Sequence, residues 1–243
     1  MKQKNKILVL TDNRSLLLSF RALANSFEET YEFDYAFSPK NPAPDDFIKE
    51  GCFQLNIKEN YEKLIGKYSL IFSIHCKQIF PKELVSKVEC INLHPGYNPY
   101  NRGWFPQVFC ILNGKKAGAT LHVMNSDIDS GPIIAQTEVK IESWDTSLSA
   151  YDKIQKAEIE LLSKNLNSIL TASFTSHIPE TGNYNSIGDF KAINQIRLEE
   201  TGTFKEFLDR LRALTHPPYK NAYYITPEGE KVYISIQLSK ENN

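Results

Sequence analysis

The sequence predicts an α/β protein: a mostly parallel sheet with helices on both faces, followed by a small C-terminal region of one helix and a β-hairpin. Three observations carry that prediction. Short, mostly apolar runs recur at Ile7–Thr11, Ser69–His75 and Val88–Leu93, as strands covered on both faces require. Helix-forming stretches lie between strands, the alternation of β–α–β units. Past the turn-rich stretch at 175–189, the pattern changes to one amphipathic segment and two short alternating ones.

In chain order, Ile7–Thr11 (ILVLT) is the first strand, and Asp12 or Asn13 caps a helix expected at Ser15–Ser26. Glu32–Phe37 is a second strand, and SPKNPAP at 38–44 is a loop by its prolines. Ser69–His75 and Val88–Leu93 are buried strands separated by a short helix starting at Pro81. Trp104–Asn113 is a helix ended by Gly114, and Ala117–Val123 and Ile133–Ile141 are strands. The longest helix is expected at Ser147–Ala172. Its core stripe is Leu148, Tyr151, Ile154, Ala157, Leu161, Asn165 and Ile169, at three- and four-residue spacing. The turn-rich stretch divides the chain into residues 1–182 and 183–243. In the second part, a helix at Thr203–Leu214 precedes a hairpin of Ala222–Thr226 and Lys231–Leu238 around PEGE. A lone hairpin is marginally stable. Val232, Ile234, Ile236 and Leu238 alternate on it, so that face needs cover from the first region or from a second copy of the chain.

Composition excludes several classes. With 243 residues the chain is long enough for one sizeable core plus an appendage, and 41 % hydrophobic with 23 % charged residues is the balance of a soluble globular protein. The net charge of -1 lacks the basic excess that phosphate neutralisation demands, so nucleic acid is not an expected partner. No stretch approaches the roughly 20 apolar residues of a membrane span. The apolar run Ile7–Leu10 behind the basic N-terminus is too short for a signal-peptide core, so a cytoplasmic protein is expected. The four cysteines, Cys52, Cys76, Cys90 and Cys110, form no CxxC pair and read as reduced, buried thiols.

The candidate chemistry gathers around INLHPGYNPYNRGWFP, at 91–106. Asn92 and His94 end a predicted strand and are two residues apart, so in extended chain they face the same side. Pro95-Gly96 then turns the chain and keeps His94 at the rim of the sheet. Open parallel sheets take ligands outside the carboxyl ends of their strands. Asp129 stands in a second turn, beside Ser130-Gly131-Pro132, where a carboxylate can orient an imidazole. Asp127 competes for that role, and each residue alone has an ordinary structural explanation. A metal site of His94, His122 and Asp129 lacks the usual ligand spacing. There is also no GxSxG elbow, P-loop or GxGxxG.

Together the blocks form a pattern: Asn92-x-His94-Pro95-Gly96, then Pro99, Arg102-Gly103 and Pro106, then Gly118-x-Thr120-x-His122, then Asp129-x-Gly131-x-Ile133-Ile134 and Gln136. This resembles the formyltransferases that use N10-formyltetrahydrofolate, over roughly Ser69–Ile141. The resemblance implies a Rossmann-like fold and a catalytic set of Asn92, His94 and Asp129. In that set His94 is the general base, Asn92 gives an amide N–H to the developing oxyanion, and Asp129 orients His94. It also implies a folate pocket at Lys87, Val88, Ile91, Met124, Ile128 and Asp129, with no metal.

Within the family, SIHCKQIFP (73–81), HPGYNPYNRGWFPQ (94–107) and RLRALTHPPYKNAYY (210–224) are similar to the sugar-nucleotide N-formyltransferases. That likeness implies a dTDP-linked amino-dideoxyhexose as substrate, with dTDP-4-amino-4,6-dideoxyglucose expected, used in making surface polysaccharide (O-antigen). The substrate contacts it implies are Asp12, Asn13, Lys77, Gln78, Tyr97, Asn98, Arg102, Gly103, Trp104 and Tyr219. Lys77 is the cation for the diphosphate and the tail tyrosines supply aromatic faces for thymine. A homodimer through the C-terminal hairpin is expected. The alternatives are methionyl-tRNA or glycinamide ribonucleotide formyltransferase, a formyltetrahydrofolate hydrolase, and a non-catalytic folate- or nucleotide-binding regulator. The basic surface and the Gly/Ser-rich phosphate loop that the first two call for are missing from the sequence.

Overall fold

The computed structural model describes residues 5–241. The N-terminal residues 1–4, part of the basic stretch noted above, and residues 242–243 of the tail lie outside the described residues. The chain opens with β1 (Asn5–Thr11), α1 (Arg14–Ala24), β2 (Tyr31–Phe37), α2 (Pro44–Lys49) and β3 (Phe53–Gln54). It continues with α3 (Ile57–Lys67), β4 (Leu70–Ile74), α4 (Lys82–Val85), β5 (Glu89–His94), β6 (Arg102–Gly103) and α5 (Pro106–Asn113). Then come β7 (Ala117–Val123), β8 (Ile133–Val139), α6 (Ser147–Leu170), β9 (Tyr184–Asn185), α7 (Ile187–Ala192) and α8 (Phe204–Leu214). Four short strands close the fold: β10 (Thr215–His216), β11 (Tyr219–Lys220), β12 (Tyr223–Ile225) and β13 (Lys231–Tyr233). Among the described residues, no helix is long and apolar enough to cross a membrane.

Seven strands form one sheet in the order β3-β2-β1-β4-β5-β7-β8. The pairs β1–β2, β1–β4, β2–β3 and β4–β5 are parallel, and β5–β7 is antiparallel. Strands β2 and β3 are laid out on one side of β1 and β4 onward on the other. The order therefore reverses between β1 and β4, the position at which such sheets open a ligand crevice. This is the expected mostly parallel, Rossmann-like α/β sheet with a C-terminal helix and hairpin.

Packing groups the chain into two compact units, the first of Met1–His94, Thr120–Gln136 and Glu158–Pro179, the second of Pro95–Ala119, Thr137–Ala157 and Glu180–Asn243. In the first, Leu8, Leu10, Ile57, Ile71 and Leu84 are buried together. In the second, Val108, Phe109, Ala150, Phe190, Leu214 and Ala222 share a core.

Several expectations shift for local physical reasons. Helix α1 is capped by Asn13, whose side chain accepts from the Leu16 N–H at 3.1 Å; Asp12 is used elsewhere. Helix α5 begins at Pro106 instead of Trp104, because Phe105 takes φ 50 and a residue before proline is disfavoured in the helical region. Helix α6 ends at Leu170, and its buried line runs through Ala150, Ile154, Glu158, Leu162, Leu166 and Ile169. That line is shifted from the expected stripe, because Glu158 occupies a core position that an apolar count passes over. Helices α2 and α3 were not expected. Helix α3 buries Ile57 and Leu64 and packs Tyr61 and Ile65 against the same core, a narrow apolar face set among lysines and glutamates. The second strand of the tail hairpin stops at Tyr233, although residues 232, 234, 236 and 238 do alternate half-buried with exposed neighbours.

Candidate active site

In the first unit, β5 carries Asn92 and His94 to its carboxyl end, and both side chains meet Asp129. The Asn92 Nδ2 donates to Asp129 Oδ1 at 3.0 Å, and His94 Nδ1 stands 3.5 Å from Asp129 Oδ2. Asp129 has φ 50, a left-handed conformation that Asp and Asn tolerate better than most side chains. Its loop leaves β7 where the Met124 N–H donates to Cys90 O at 2.7 Å. The loop is pinned further on, where a Cβ at Gly131 would lie 1.8 Å from Val123 O, so only glycine passes there. Asp127 is exposed, and Asp129 is the aspartate that meets Asn92 and His94. One expectation is corrected: His94 does not sit at an open rim but is 4 % exposed. The imidazole belongs to β5 itself, and β7 runs alongside with Thr120 as its register partner.

A third partner was not recognised from sequence. His122 lies opposite Asn92 in the β5–β7 pair, and its Nε2 is 3.1 Å from Asn92 Nδ2. Its Nδ1 is 3.0 Å from Val123 O, which can only accept, so Nδ1 carries the proton and Nε2 accepts from the amide. Both N–H bonds of Asn92 are thereby engaged, one by His122 and one by Asp129. The sequence offered His122 only within the family pattern and as a metal candidate. Nothing local marks a strand neighbour thirty residues away. Among the described residues, no group of three or more His, Cys, Asp or Glu side chains is arranged to hold a metal.

The residues expected at the folate pocket divide by exposure. Val88 and Ile91 are 5 % and 0 % exposed, so their side chains belong to the core. Lys87 is exposed, Met124 is half-buried against the core, and Ile128 is 43 % exposed. Met124 and Ile128 thus give the Asp129 loop an apolar face.

The expected substrate residues are distributed over both units. In the first, Asp12 is a brace. Its Oδ1 accepts from Ser38 N–H (2.9 Å) and Asn41 Nδ2 (3.0 Å), and its Oδ2 accepts from the Lys77 N–H (3.0 Å). Asn13 is the α1 cap. Gln78 donates to Leu55 O and accepts from the Ile57 N–H, both at 2.9 Å. The Lys77 side chain is exposed at the carboxyl end of β4. In the second unit, Asn98 is buried, Tyr97 is half-buried with Lys116 Nζ 5.1 Å from its ring, and Trp104 and Tyr219 are exposed. Arg102 and Gly103 form β6 and pair with Tyr184 and Asn185 of β9. Gly103 has φ 90, and a Cβ there would come within 2.4 Å of the Tyr184 ring.

The tie that shapes this segment was also missed. Asn101 is fully buried and its Oδ1 accepts from Asn113, Asn183 and Asn185 at 2.7, 2.8 and 3.2 Å. Four asparagines spread over 84 positions carry no shared sequence signal.

The thiols are free and not poised for chemistry. Burial pushes Cys76 and Cys90 up to about 12 and Cys110 up to about 11. Protonated thiols are poor nucleophiles.

Comparison with known proteins shows the family. The family described as Formyl transferase matches residues 39–166, and the family described as N-formyltransferase dimerization C-terminal domain matches residues 189–240. A dTDP-4-amino-4,6-dideoxyglucose formyltransferase of Mycobacterium tuberculosis is 42 % identical over 237 residues, covering 97 % of each chain. The crystal structure of a 4-N formyltransferase from Francisella tularensis superposes with TM-score 0.94 at 46 % identity, covering 98 % of this chain and 99 % of that one. A formyltransferase from Anoxybacillus kamchatkensis, in complex with UDP-4,6-dideoxy-4-formamido-L-AltNAc and tetrahydrofolate, superposes with TM-score 0.62 at 25 % identity, covering 77 % and 89 %. With its fold, its spaced sequence blocks and these matches in agreement, the chain belongs to the formyltransferase family.

Proposed function

We propose that this protein transfers the formyl group of N10-formyltetrahydrofolate to the amino group of a dTDP-linked amino-dideoxyhexose, dTDP-4-amino-4,6-dideoxyglucose, in the cytoplasm, for surface polysaccharide. The observation that carries the chemistry is the convergence of Asn92 and His94 on Asp129 at 3.0 and 3.5 Å. The full-length likeness to a dTDP-4-amino-4,6-dideoxyglucose formyltransferase supports the choice of amine.

The folate supplies a formyl carbonyl activated for attack. Transfer to an amine forms a bond from its nitrogen to the formyl carbon and breaks the bond from that carbon to N10. It builds negative charge on the formyl oxygen, leaves a proton to be removed from the attacking nitrogen, and releases tetrahydrofolate with a proton delivered to N10. His94 takes that proton through Nε2, since Nδ1 faces Asp129. Asp129 holds the ring and stabilises its charged form. Asn92 donates to the developing oxyanion only by exchanging its bond to Asp129 or His122, so its contribution arises as charge forms. Backbone at Lys87–Ile91 and the apolar face of Met124 and Ile128 suit a flat pterin ring. Lys77 serves the diphosphate, while Tyr97, Asn98, Arg102, Gly103, Trp104 and Tyr219 serve the sugar and base. Residues 1–182 are assigned to catalysis, and residues 183–243 to completing the substrate site and dimerisation. The match to a dimerization domain at 189–240 supports a homodimer, to be checked by size measurement in dilute solution.

The test is a mass-spectrometric screen for a formylated product across dTDP- and UDP-amino-sugars, glycinamide ribonucleotide and charged tRNA, with His94→Ala and Asp129→Asn as controls. Product with the dTDP-4-amino-sugar, lost in both variants, is expected. Product with tRNA alone overturns the proposal.

A further inference from the structure

A buried imidazole–carboxylate pair outside the catalytic set stands just past the end of β4. His75 Nε2 lies 2.8 and 2.9 Å from the two carboxylate oxygens of Glu158 on α6. The Glu158 side chain is 0 % exposed and that of His75 11 %. Withdrawing a carboxylate that far from water costs free energy that an apolar residue at the same helix position does not incur. Burial pushes the Glu158 carboxyl up, and the charge and hydrogen bond of His75 oppose it. His75 bears a second local cost: its φ is 50, the left-handed region, in a residue with a Cβ. Strain of this kind persists only where neighbours hold it, and it concentrates at ligand sites.

Both costs fall on one turn, and that turn stands where the sheet order reverses between β1 and β4. Three elements clasp it. Helix α6 holds His75 through Glu158. The end of β1 holds Lys77, whose N–H donates to Asp12 Oδ2 at 3.0 Å. The start of α3 holds Gln78 through the Ile57 N–H at 2.9 Å. Between these clasps the Lys77 side chain remains exposed. A crevice at such a reversal is where open α/β sheets take ligands, and a cation on a fixed backbone there is suited to a phosphate group.

We propose that the His75–Glu158 pair is a positioning device for the turn after β4, fixing its backbone so that Lys77 meets the diphosphate of the sugar nucleotide. His75 and Glu158 act through Lys77 and touch no substrate themselves. This rests on the sugar-nucleotide reading above.

The test removes both partners at once, so that no buried charge is orphaned. His75→Asn keeps a side chain that tolerates the left-handed backbone, and Glu158→Leu fills the helix position. Steady-state kinetics with dTDP-4-amino-4,6-dideoxyglucose and N10-formyltetrahydrofolate compare wild type, the H75N/E158L double variant, K77A, and the triple combination. Melting temperatures are followed throughout. The double variant is expected to stay folded and to raise KM for the sugar nucleotide roughly tenfold, with kcat and the folate KM within about twofold, the pattern of lost ground-state binding. In the K77A background the same changes have no further effect, because the device works through that lysine. E158Q, which retains a hydrogen-bond acceptor for His75, restores most of the affinity. If the double variant does not fold, H75N alone carries the test, with the same rise in KM expected and no further rise in the K77A background. Equal and additive effects with and without Lys77, or a lowered melting temperature with unchanged KM, overturn the inference alone. Wild-type protein that neither binds dTDP nor formylates the amino sugar overturns the substrate reading, and the inference with it.

Discussion

Asn92 and Asp129 are joined by a 3.0 Å hydrogen bond from amide to carboxylate, and the second amide hydrogen of Asn92 points to His122. The amide is thus oriented before any substrate arrives, and held by partners that compete with an oxyanion for the same two hydrogens. Replacing Asn92 with Ala removes that pre-oriented donor. The expected loss is about 100–1,000-fold in kcat, with little change in KM for the sugar nucleotide. Steady-state kinetics check this, and an Asn92→Ala enzyme within a few-fold of wild type refutes the role.

Asp129 has two separable duties. Its carboxylate faces His94, and its backbone occupies φ 50. Asp129→Asn preserves the backbone and removes the charge, so kcat is expected to fall about 100-fold or more at a nearly unchanged melting temperature. Asp129→Ala adds a backbone penalty of about 1–2 kcal/mol. Thermal denaturation of the two variants separates the duties.

Asn101 ties the 97–104 segment to residues 183–185. Asn101→Ala leaves three partner amides without their acceptor, so a destabilisation of about 3 kcal/mol is expected. Urea denaturation measures it. A loss well below 1 kcal/mol would mean that the asparagine cluster rearranges or hydrates at little cost.

Acid sensitivity follows from His216. Burial holds its imidazole below the ordinary 6.5, against a smaller opposing effect of Asp152, while Ser147 Oγ lies 3.0 Å from Nδ1. The unfolded chain takes up this proton at a higher pH than the folded one. Stability is therefore complete above about pH 6.5 and declines as pH falls below it. Melting temperature against pH is expected to slope downward there for the wild type, and less steeply for His216→Gln.

The sequence by itself determined a good deal of this protein, because the relevant signals are local. The runs at Ile7–Thr11 and Ala117–Val123 reappear as β1 and β7, and the helix expected at Thr203–Leu214 reappears as α8. Asn92 and His94 share a face because side chains alternate along a strand, and Gly131 marks a turn that only glycine passes. Tertiary structure decided the contacts that join distant segments. The antiparallel placement of β7 beside β5 brings His122 to Asn92. The packing of α6 buries Glu158 against His75, where periodicity alone set a neighbouring stripe toward the core. Asn101 meets its three partners through chain closure across 84 positions. Pairing and packing depend on which surfaces meet after the chain has folded back, and a polar residue destined for burial looks in sequence like any residue of the solvated face.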